Sequence, residues 1–197
     1  IWSGQMLTRQ MLIRDVTAAD RTQWDQLYQG YAEYYQVDTD TERRDRLFGW
    51  LLDAGHVCEG LVAEDAGKLL GLAHFRAMPS PLRGSEVGFL DDLFVDPDAR
   101  GSGAAEAMIR ALDDIAERRD WPVVRWITRE DNYRARGLYD RCALRSNWVT
   151  YEMNASTIGL SSITSGLLLV GLQTHLKRKL QYITHEHPFR VFQFFNK

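Results

Sequence analysis

The chain has 197 residues, 45% hydrophobic and 11% aromatic, which suffices for one globular domain with a substantial core and excludes a disordered segment by composition. The formal net charge of −3 is uneven: residues 1–153 carry 19 Lys and Arg against 26 Asp and Glu, whereas 154–197 carry 5 against 1. An acidic body argues against binding a nucleic-acid backbone and suits a cationic substrate. Cys58 and Cys142 lie 84 positions apart without metal-ligand spacing, which predicts reduced thiols in a cytoplasmic setting and no metal.

Ile1 to Gln5 precede the first methionine and read as a non-native remnant, with Met6 or Met11 as the expected start. Leu12-Ile13-Arg14-Asp15-Val16 reads as a first strand. Asp20 is placed to cap a helix with Trp24, Leu27, Tyr28, Tyr31 and Tyr35 on one side. Thr39 and Glu42 form a candidate capping box for a second helix carrying Leu47, Phe48, Leu51 and Leu52, ended by Gly55. Leu61 to Glu64, a turn through Asp65-Ala66-Gly67, and Leu69 to Phe75 read as a hairpin closed by Pro79-Ser80-Pro81.

Glu86 to Val95 reads as the next strand, stopped by Asp96-Pro97-Asp98-Ala99. Arg100-Gly101-Ser102-Gly103 then forms a tight loop, and from Ala104 the apolar positions Ala105, Met108, Ile109, Leu112, Ile115 and Ala116 recur at helical spacing. Glu106 with Arg110 and Asp114 with Arg118 support the helix as i,i+4 pairs. A glycine loop between a strand and a helix N-terminus is an anion site: backbone N–H groups lack intrahelical partners, the helix dipole adds positive charge, and glycine admits close approach.

Trp121-Pro122 breaks the chain, and Val123 to Thr128 reads as a buried strand parallel to the one before the loop. Asp131 or Asn132 caps a short helix with Ala135, Leu138, Tyr139 and Cys142 on one face. Trp148 to Met153 reads as a final strand. From Asn154 to Thr174 the chain has no charge and is rich in Ser, Thr and Gly. Its purely apolar core, Leu167 to Val170, is far shorter than the roughly 20 residues a bilayer needs. A soluble helix to about Leu180 and an aromatic strand at Phe189 to Phe195 is one reading of 154–197; an appended, non-native tail is the other.

Arg100-Gly101-Ser102-Gly103-Ala104-Ala105 resembles the Arg/Gln-x-x-Gly-x-Gly/Ala signature of the GNAT superfamily of acetyl-CoA-dependent N-acetyltransferases. Val95-Asp96-Pro97 before it and Asn132 to Tyr139 after it stand at family spacing, and the resemblance covers residues 12–153. It implies a single α/β (α+β) domain over 6–153, with a mixed, mostly antiparallel sheet, a central parallel strand pair and flanking helices. It further implies that acetyl-CoA is the cosubstrate, its pyrophosphate held by the loop Arg100, Gly101, Ser102, Gly103, Ala104 and Ala105. The strand at Leu93, Phe94 and Val95 would meet the pantetheine arm, Asn132 would lie near the thiol end, and Tyr139 would protonate the departing thiolate. A phenol suits that last role because its basicity is close to that of a thiolate.

The family's direct attack by an amine requires that the amine lose a proton. Asp91 and Asp92 are the candidates to hold the ammonium and accept the proton, although on a regular strand they point to opposite faces. Gly88-Phe89-Leu90-Asp91-Asp92-Leu93-Phe94-Val95 is similar to the acidic-pair segment of diamine and polyamine acetyltransferases, which implies a small cationic amine as acceptor. Two other functions stay open: a CoA-binding sensor or interaction module without chemistry, and acetylation of a protein N-terminus or lysine. The sequence departs from the family at Cys142-Ala143-Leu144, where a Gly-Phe pair is usual. The tail beyond Met153 leaves the partner of a final strand, and with it a homodimer, open.

Each candidate also has a structural reading. Gly101 and Gly103 suit a plain turn, Tyr139 a packed core, Asn132 a cap, and Asp91 and Asp92 solvated strand charges. Arg125, Arg129, Arg134, Arg136, Arg141 and Arg145 form a basic run that is either exposed or near the adenosine 3′-phosphate. Tyr28, Tyr31, Tyr34 and Tyr35 suit either a core or a cation-binding wall, with core favoured for most. His74 reads as a hydrogen-bonded, semi-buried strand residue or as a base. Cys142 has no base of predictable proximity, and His185 and His187 have no convincing metal partners.

Overall fold

The computed structural model describes residues 11–152. Five strands form a sheet in the order β1-β2-β3-β4-β5: β1 (Leu12–Asp15), β2 (Cys58–Asp65), β3 (Lys68–Ser80), β4 (Ser85–Val95) and β5 (Val124–Trp126). The first three pairings are antiparallel and β4–β5 is parallel. Helices α1 (Arg21–Tyr35) and α2 (Thr41–Leu52) precede the β2–β3 hairpin, α3 (Ala104–Arg118) connects β4 to β5, and α4 (Tyr133–Cys142) follows β5. This is the expected mixed α/β domain. The expectations for residues 1–5 and 154–197 lie outside the described residues.

Period-two alternation on the central strands divides the core into two layers. Leu61, Ala63, Ala73, Phe75 and Leu90 face the buried stripe of α3, composed of Ala104, Met108, Leu112, Ile115 and Ala116. Their neighbours Val62, Leu72 and Phe94 face Trp24, Leu27 and Phe48 of α1 and α2. The leucine, isoleucine, valine, methionine and phenylalanine side chains among these each contribute roughly 1.5–3 kcal/mol when fully buried, so the sheet is held from both sides. The turn after β2 uses Ala66 and Gly67, both at positive φ, as a two-residue hairpin requires.

Three local expectations are corrected. Asp40, not Thr39, caps α2 by accepting the Arg43 N–H at 2.8 Å. Asp20 sits at the start of α1, but its carboxylate turns back to the preceding turn and accepts from the Thr17 N–H. Residues 147–152, the described part of a second compact unit that begins at Asn147, form no strand. The alternating Trp148-Val149-Thr150-Tyr151 has strand-like composition, yet a strand exists only as part of a ladder. Among the described residues none pairs with these.

Asp20 joins the start of the domain to the hairpin. It takes two hydrogen bonds from Arg14 at 2.7 Å, and Arg14 also donates to Glu64 at 2.8 Å, linking β1, the start of α1 and β2. The Arg14 hydrogen bonds, acting against the cost of burial, hold the Asp20 carboxyl down at about 2. A folded-state value below the unfolded one stabilises fully above the unfolded value and is lost as pH falls through the folded one. The contribution is about 2 kcal/mol, complete above about pH 4 and lost through about pH 2. Melting temperatures followed from about pH 5 to about pH 2 should therefore fall more steeply for the wild type than for Asp20→Asn.

Candidate active site

Parallel pairing between β4 and β5 covers Gly88 to Leu90 against Val124 to Trp126 and then ends. From Asp91 onward β4 remains paired to β3, while its other edge has no strand partner among the described residues. A cavity of about 500 Å³ lies where the strands part. Leu93, Phe94 and Val95 of β4, the loop residues Arg100 to Gly103, Ala104 and Ala105 of α3, and Asn132 and Tyr139 line it together. All the cofactor positions expected from the sequence, and the expected acid, thus meet at one cavity.

The loop at its mouth is shaped by two glycines. Gly101 has φ 88° and Gly103, the residue before α3, has φ 87°. A Cβ at either position would meet nothing within 4 Å, so the demand for glycine comes from the backbone angle and not from crowding. Ser102 Oγ accepts from the Ala104 N–H at 3.4 Å, and the remaining first-turn N–H groups of α3 lack intrahelical acceptors. Together with the helix dipole and Arg100, the loop forms a fitting site for a diphosphate.

On the far wall, α4 presents Arg134, Leu138 and Arg141, spaced i, i+4 and i+7, so one helix face carries two cations and an apolar contact to the cavity. Asn132 does two jobs. Its side chain caps α4 by accepting the Ala135 N–H at 3.3 Å, and its amide donates to Thr128 Oγ1 at 3.3 Å. Tyr139 packs edge-on against Trp126 with ring centroids 5.4 Å apart. Burial, followed by the proximity of Tyr35, pushes its phenol up to about 12, so it carries its proton at neutral pH. Tyr31, Tyr34 and Tyr35 of α1 and Glu106 of α3 also line it. Among the described residues there is no group of three or more His, Cys, Asp or Glu side chains that could hold a metal ion.

Asp91 and Asp92 do not line the cavity, and the structure separates them. His74 opposes Asp92 and Phe75 opposes Leu90, so Asp91 is the extra residue of a β-bulge. The expectation of opposite faces on a regular strand is corrected by that bulge. Asp92 meets His74 and Asp91 meets Arg76, two β3 residues that share a face. Asp91 forms an ion pair with Arg76 at 3.0 Å at the surface. Asp92 lies directly behind Tyr31, whose hydroxyl donates to Oδ1 at 2.6 Å, while His74 Nδ1 meets Oδ2 at 2.8 Å. Burial alone would raise the Asp92 carboxyl, but the hydrogen bonds from His74 and from the Tyr31 hydroxyl outweigh it and hold it below its ordinary value.

His74 is fully buried, with 1% exposure, and not semi-buried as its strand position suggested. The sequence favours core for most of the α1 tyrosines, and that expectation is corrected for Tyr31, Tyr34 and Tyr35, which line the cavity. The tyrosine spacing was the available signal, since Tyr31, Tyr34 and Tyr35 fall within little more than one turn. The cavity-facing cations of α4 were not separable in this way, because Arg129 and Arg136 share the seven-residue spacing of Arg134 and Arg141.

A mixed sheet with one parted parallel strand pair, and a glycine-shaped helix N-terminus at the parting, is an α/β domain with a cleft suited to a diphosphate-bearing ligand. The chain belongs to the Acetyltransferase (GNAT) family, whose profile matches residues 24–144. It is similar to the D-amino-acid N-acetyltransferase HPA3 of Saccharomyces cerevisiae, with 25% identity over 152 residues, covering 76% of this chain and 94% of that protein. The crystal structure of ribosomal-protein-alanine N-acetyltransferase from Brucella melitensis biovar Abortus 2308 covers 74% of this chain, with 99% of that chain matched, at 27% identity and TM-score 0.63. Aminoglycoside N-acetyltransferase AAC(6′)-Iy in complex with CoA shares the fold, with TM-score 0.65 and 18% identity, covering 75% of this chain and 97% of that one. The protein is therefore an acetyltransferase, and the family's reaction is acetyl-CoA-dependent N-acetylation.

Gly101→Ala or Gly103→Ala should strain the loop by about 1–2 kcal/mol and turn its N–H groups away from the cavity. The expected result, read by titration calorimetry, is CoA affinity weakened about tenfold or more in a protein whose melting remains cooperative.

Proposed function

We propose that this enzyme transfers the acetyl group of acetyl-CoA to the primary amine of a small cationic molecule by direct attack in a ternary complex. One observation carries this reading: a single cavity is lined by the diphosphate loop, the open edge of β4, Asn132 and Tyr139, with Tyr31 backed by Asp92 on the same wall. Acetyl-CoA supplies an activated thioester carbonyl. The backbone around Arg100 to Ala105 takes the diphosphate, and the β4 edge at Leu93 to Val95 offers amide groups to the pantetheine arm. Tyr139 hands a proton to the departing thiolate, for which a phenol held protonated at neutral pH is suited.

The choice of a cationic amine rests on the wall made by α1. Three tyrosines line that end of the cavity, aromatic groups that favour a cation, and the Asp92 carboxylate behind Tyr31 adds negative charge there. Of the two acidic candidates, Asp92 holds the position that matters; Asp91 is occupied by Arg76 outside the cavity. The yeast relative's name points to amino acids of the D series, whose ammonium would meet the same wall. Thiol release from acetyl-CoA, measured across diamines, amino acids of both hands, aminoglycosides and peptides, tests the assignment. Diamines are expected to lead, and preference for a peptide would overturn the small-amine reading.

Tyr139→Phe should lower kcat about 100-fold while leaving CoA affinity within a factor of about two. Unchanged kcat would remove Tyr139 from the proton transfer.

A further inference from the structure

Acetylation of an ammonium needs a proton acceptor, and the cavity wall presents one hydroxyl with a carboxylate behind it. Trp24 and His74 are buried, at 0% and 1% exposure. Trp24 Nε1–H donates to His74 Nε2 at 3.0 Å. An indole N–H can only donate, so Nε2 accepts and the ring proton sits on Nδ1, which donates to Asp92 Oδ2 at 2.8 Å. Asp92 Oδ1 accepts the Tyr31 hydroxyl at 2.6 Å, and Tyr31 reaches the cavity. Four side chains thus form one chain of hydrogen bonds that converges on Asp92, with Tyr31 the member that lines the cavity.

We propose that this line is the proton acceptor of the reaction, with Tyr31 the group that meets the amine, Asp92 the base behind it, and His74, anchored by Trp24, the residue that positions Asp92. The inference rests on the acetyl-transfer reading above and names the part of that site which prepares the amine. The ammonium N–H bond breaks and its proton goes to Tyr31 Oη. At the same time the Tyr31 O–H proton passes to Asp92 Oδ1. The amine is left with a free lone pair and Tyr31 remains a phenol; Asp92, held below its ordinary value by His74 and Tyr31, becomes a neutral acid only in an uphill step that attack on the thioester draws forward, and it returns its proton to water after turnover. No net phenolate forms, which matters because burial, followed by the charge of Asp92, pushes the Tyr31 phenol far above its ordinary value. Fixing the tautomer of His74 through a second partner is what keeps Asp92 aimed, since an imidazole free to rotate would satisfy Asp92 in several orientations.

The groups facing this line from neighbouring elements are few. On α1 they are Tyr28, Tyr35 and Arg21, the last stacked on the Trp24 ring at 5.5 Å. On β2 there is Cys58, on β3 Arg76, and on β4 Asp91, while α2 contributes the apolar Phe48. Cys58 is pushed up to about 11, chiefly by burial, and Tyr28 is raised for the same reason. Neither becomes charged near neutral pH.

The test measures kcat/KM for 1,4-diaminobutane between about pH 6 and about pH 10. Tyr31→Phe, which keeps the ring, and Asp92→Asn should each lose about 100-fold near pH 7. The deficit should close toward the amine's own pKa, about 10, where free base arrives already deprotonated. His74→Leu should behave likewise, and His74→Asn, whose amide N–H can replace Nδ1–H, should recover most of the loss. NMR of imidazole-labelled protein should show His74 protonated on Nδ1, and an Nε2–H signal would overturn the inference without any turnover measurement. A Tyr31→Phe deficit that is constant with pH, or absent, also overturns it while leaving acetyl transfer standing. Wild-type protein that binds CoA yet releases no thiol with any amine would overturn the acetyl-transfer reading itself, and the relay with it.

Discussion

Pairing between β4 and β5 stops after Leu90 and Trp126, and the cavity exists because it stops. Had the parallel ladder continued, the β4 edge at Leu93 to Val95 would be consumed by β5 and α4 would have no cleft to face. The gap is stable because both strands are held from elsewhere. β4 is paired to β3 along its whole length and buried on both faces, by Leu90 toward α3 and Phe94 toward α1. Beyond Trp126 the chain has left the sheet, and Asn132 starts α4 by capping it. An exposed strand edge is normally a liability for pairing with other chains. Here it is recessed between two helices, where it can serve as a binding surface.

The β-bulge is a second consequence of the same strand. Inserting Asp91 between the partners of His74 and Phe75 brings two successive carboxylates to one face, where each finds its own counterpart. The two outcomes differ in energy. The Arg76–Asp91 pair is partly exposed and contributes little to stability. Asp92 is largely enclosed, and a carboxylate there persists only because both its oxygens accept hydrogen bonds. Removing Tyr31 or His74 would therefore alter the state of Asp92 itself, so these residues are coupled and their substitution effects should not add.

Much of the fold was legible because each element obeys one dominant local rule. The stripe of α3 has unbroken helical period, and Asp65-Ala66-Gly67 turns a two-residue hairpin. The loop from Arg100 to Gly103 joins a strand to a helix in the way an anion site requires. The site's cofactor side was legible for the same reason, since it is built from contiguous backbone. The Asp92 side was not. Trp24, Tyr31, His74 and Asp92 come from three separate elements, and only the bulge, which leaves no clear mark in sequence, brings them into line. The final strand at Trp148 failed for the converse reason: its composition was right, but pairing depends on a partner that composition does not reveal.

The cavity is polarised along its length. Cations outnumber carboxylates where the α3 N-terminus, Arg100, Arg134 and Arg141 line it, since the one carboxylate there, Glu106, is paired with Arg110, and a carboxylate lies behind Tyr31 at Asp92. On the proposed function this polarity sorts the two substrates before any specific contact forms. A diphosphate is drawn to one end and repelled from the other, and an ammonium the reverse. Because the two ends are walls of one cavity, attraction to opposite ends would place the thioester and the amine side by side, which is the arrangement direct transfer requires. An anionic acceptor would be drawn toward the cofactor's own phosphate site, so the charge pattern that favours a cationic amine also disfavours its competitors.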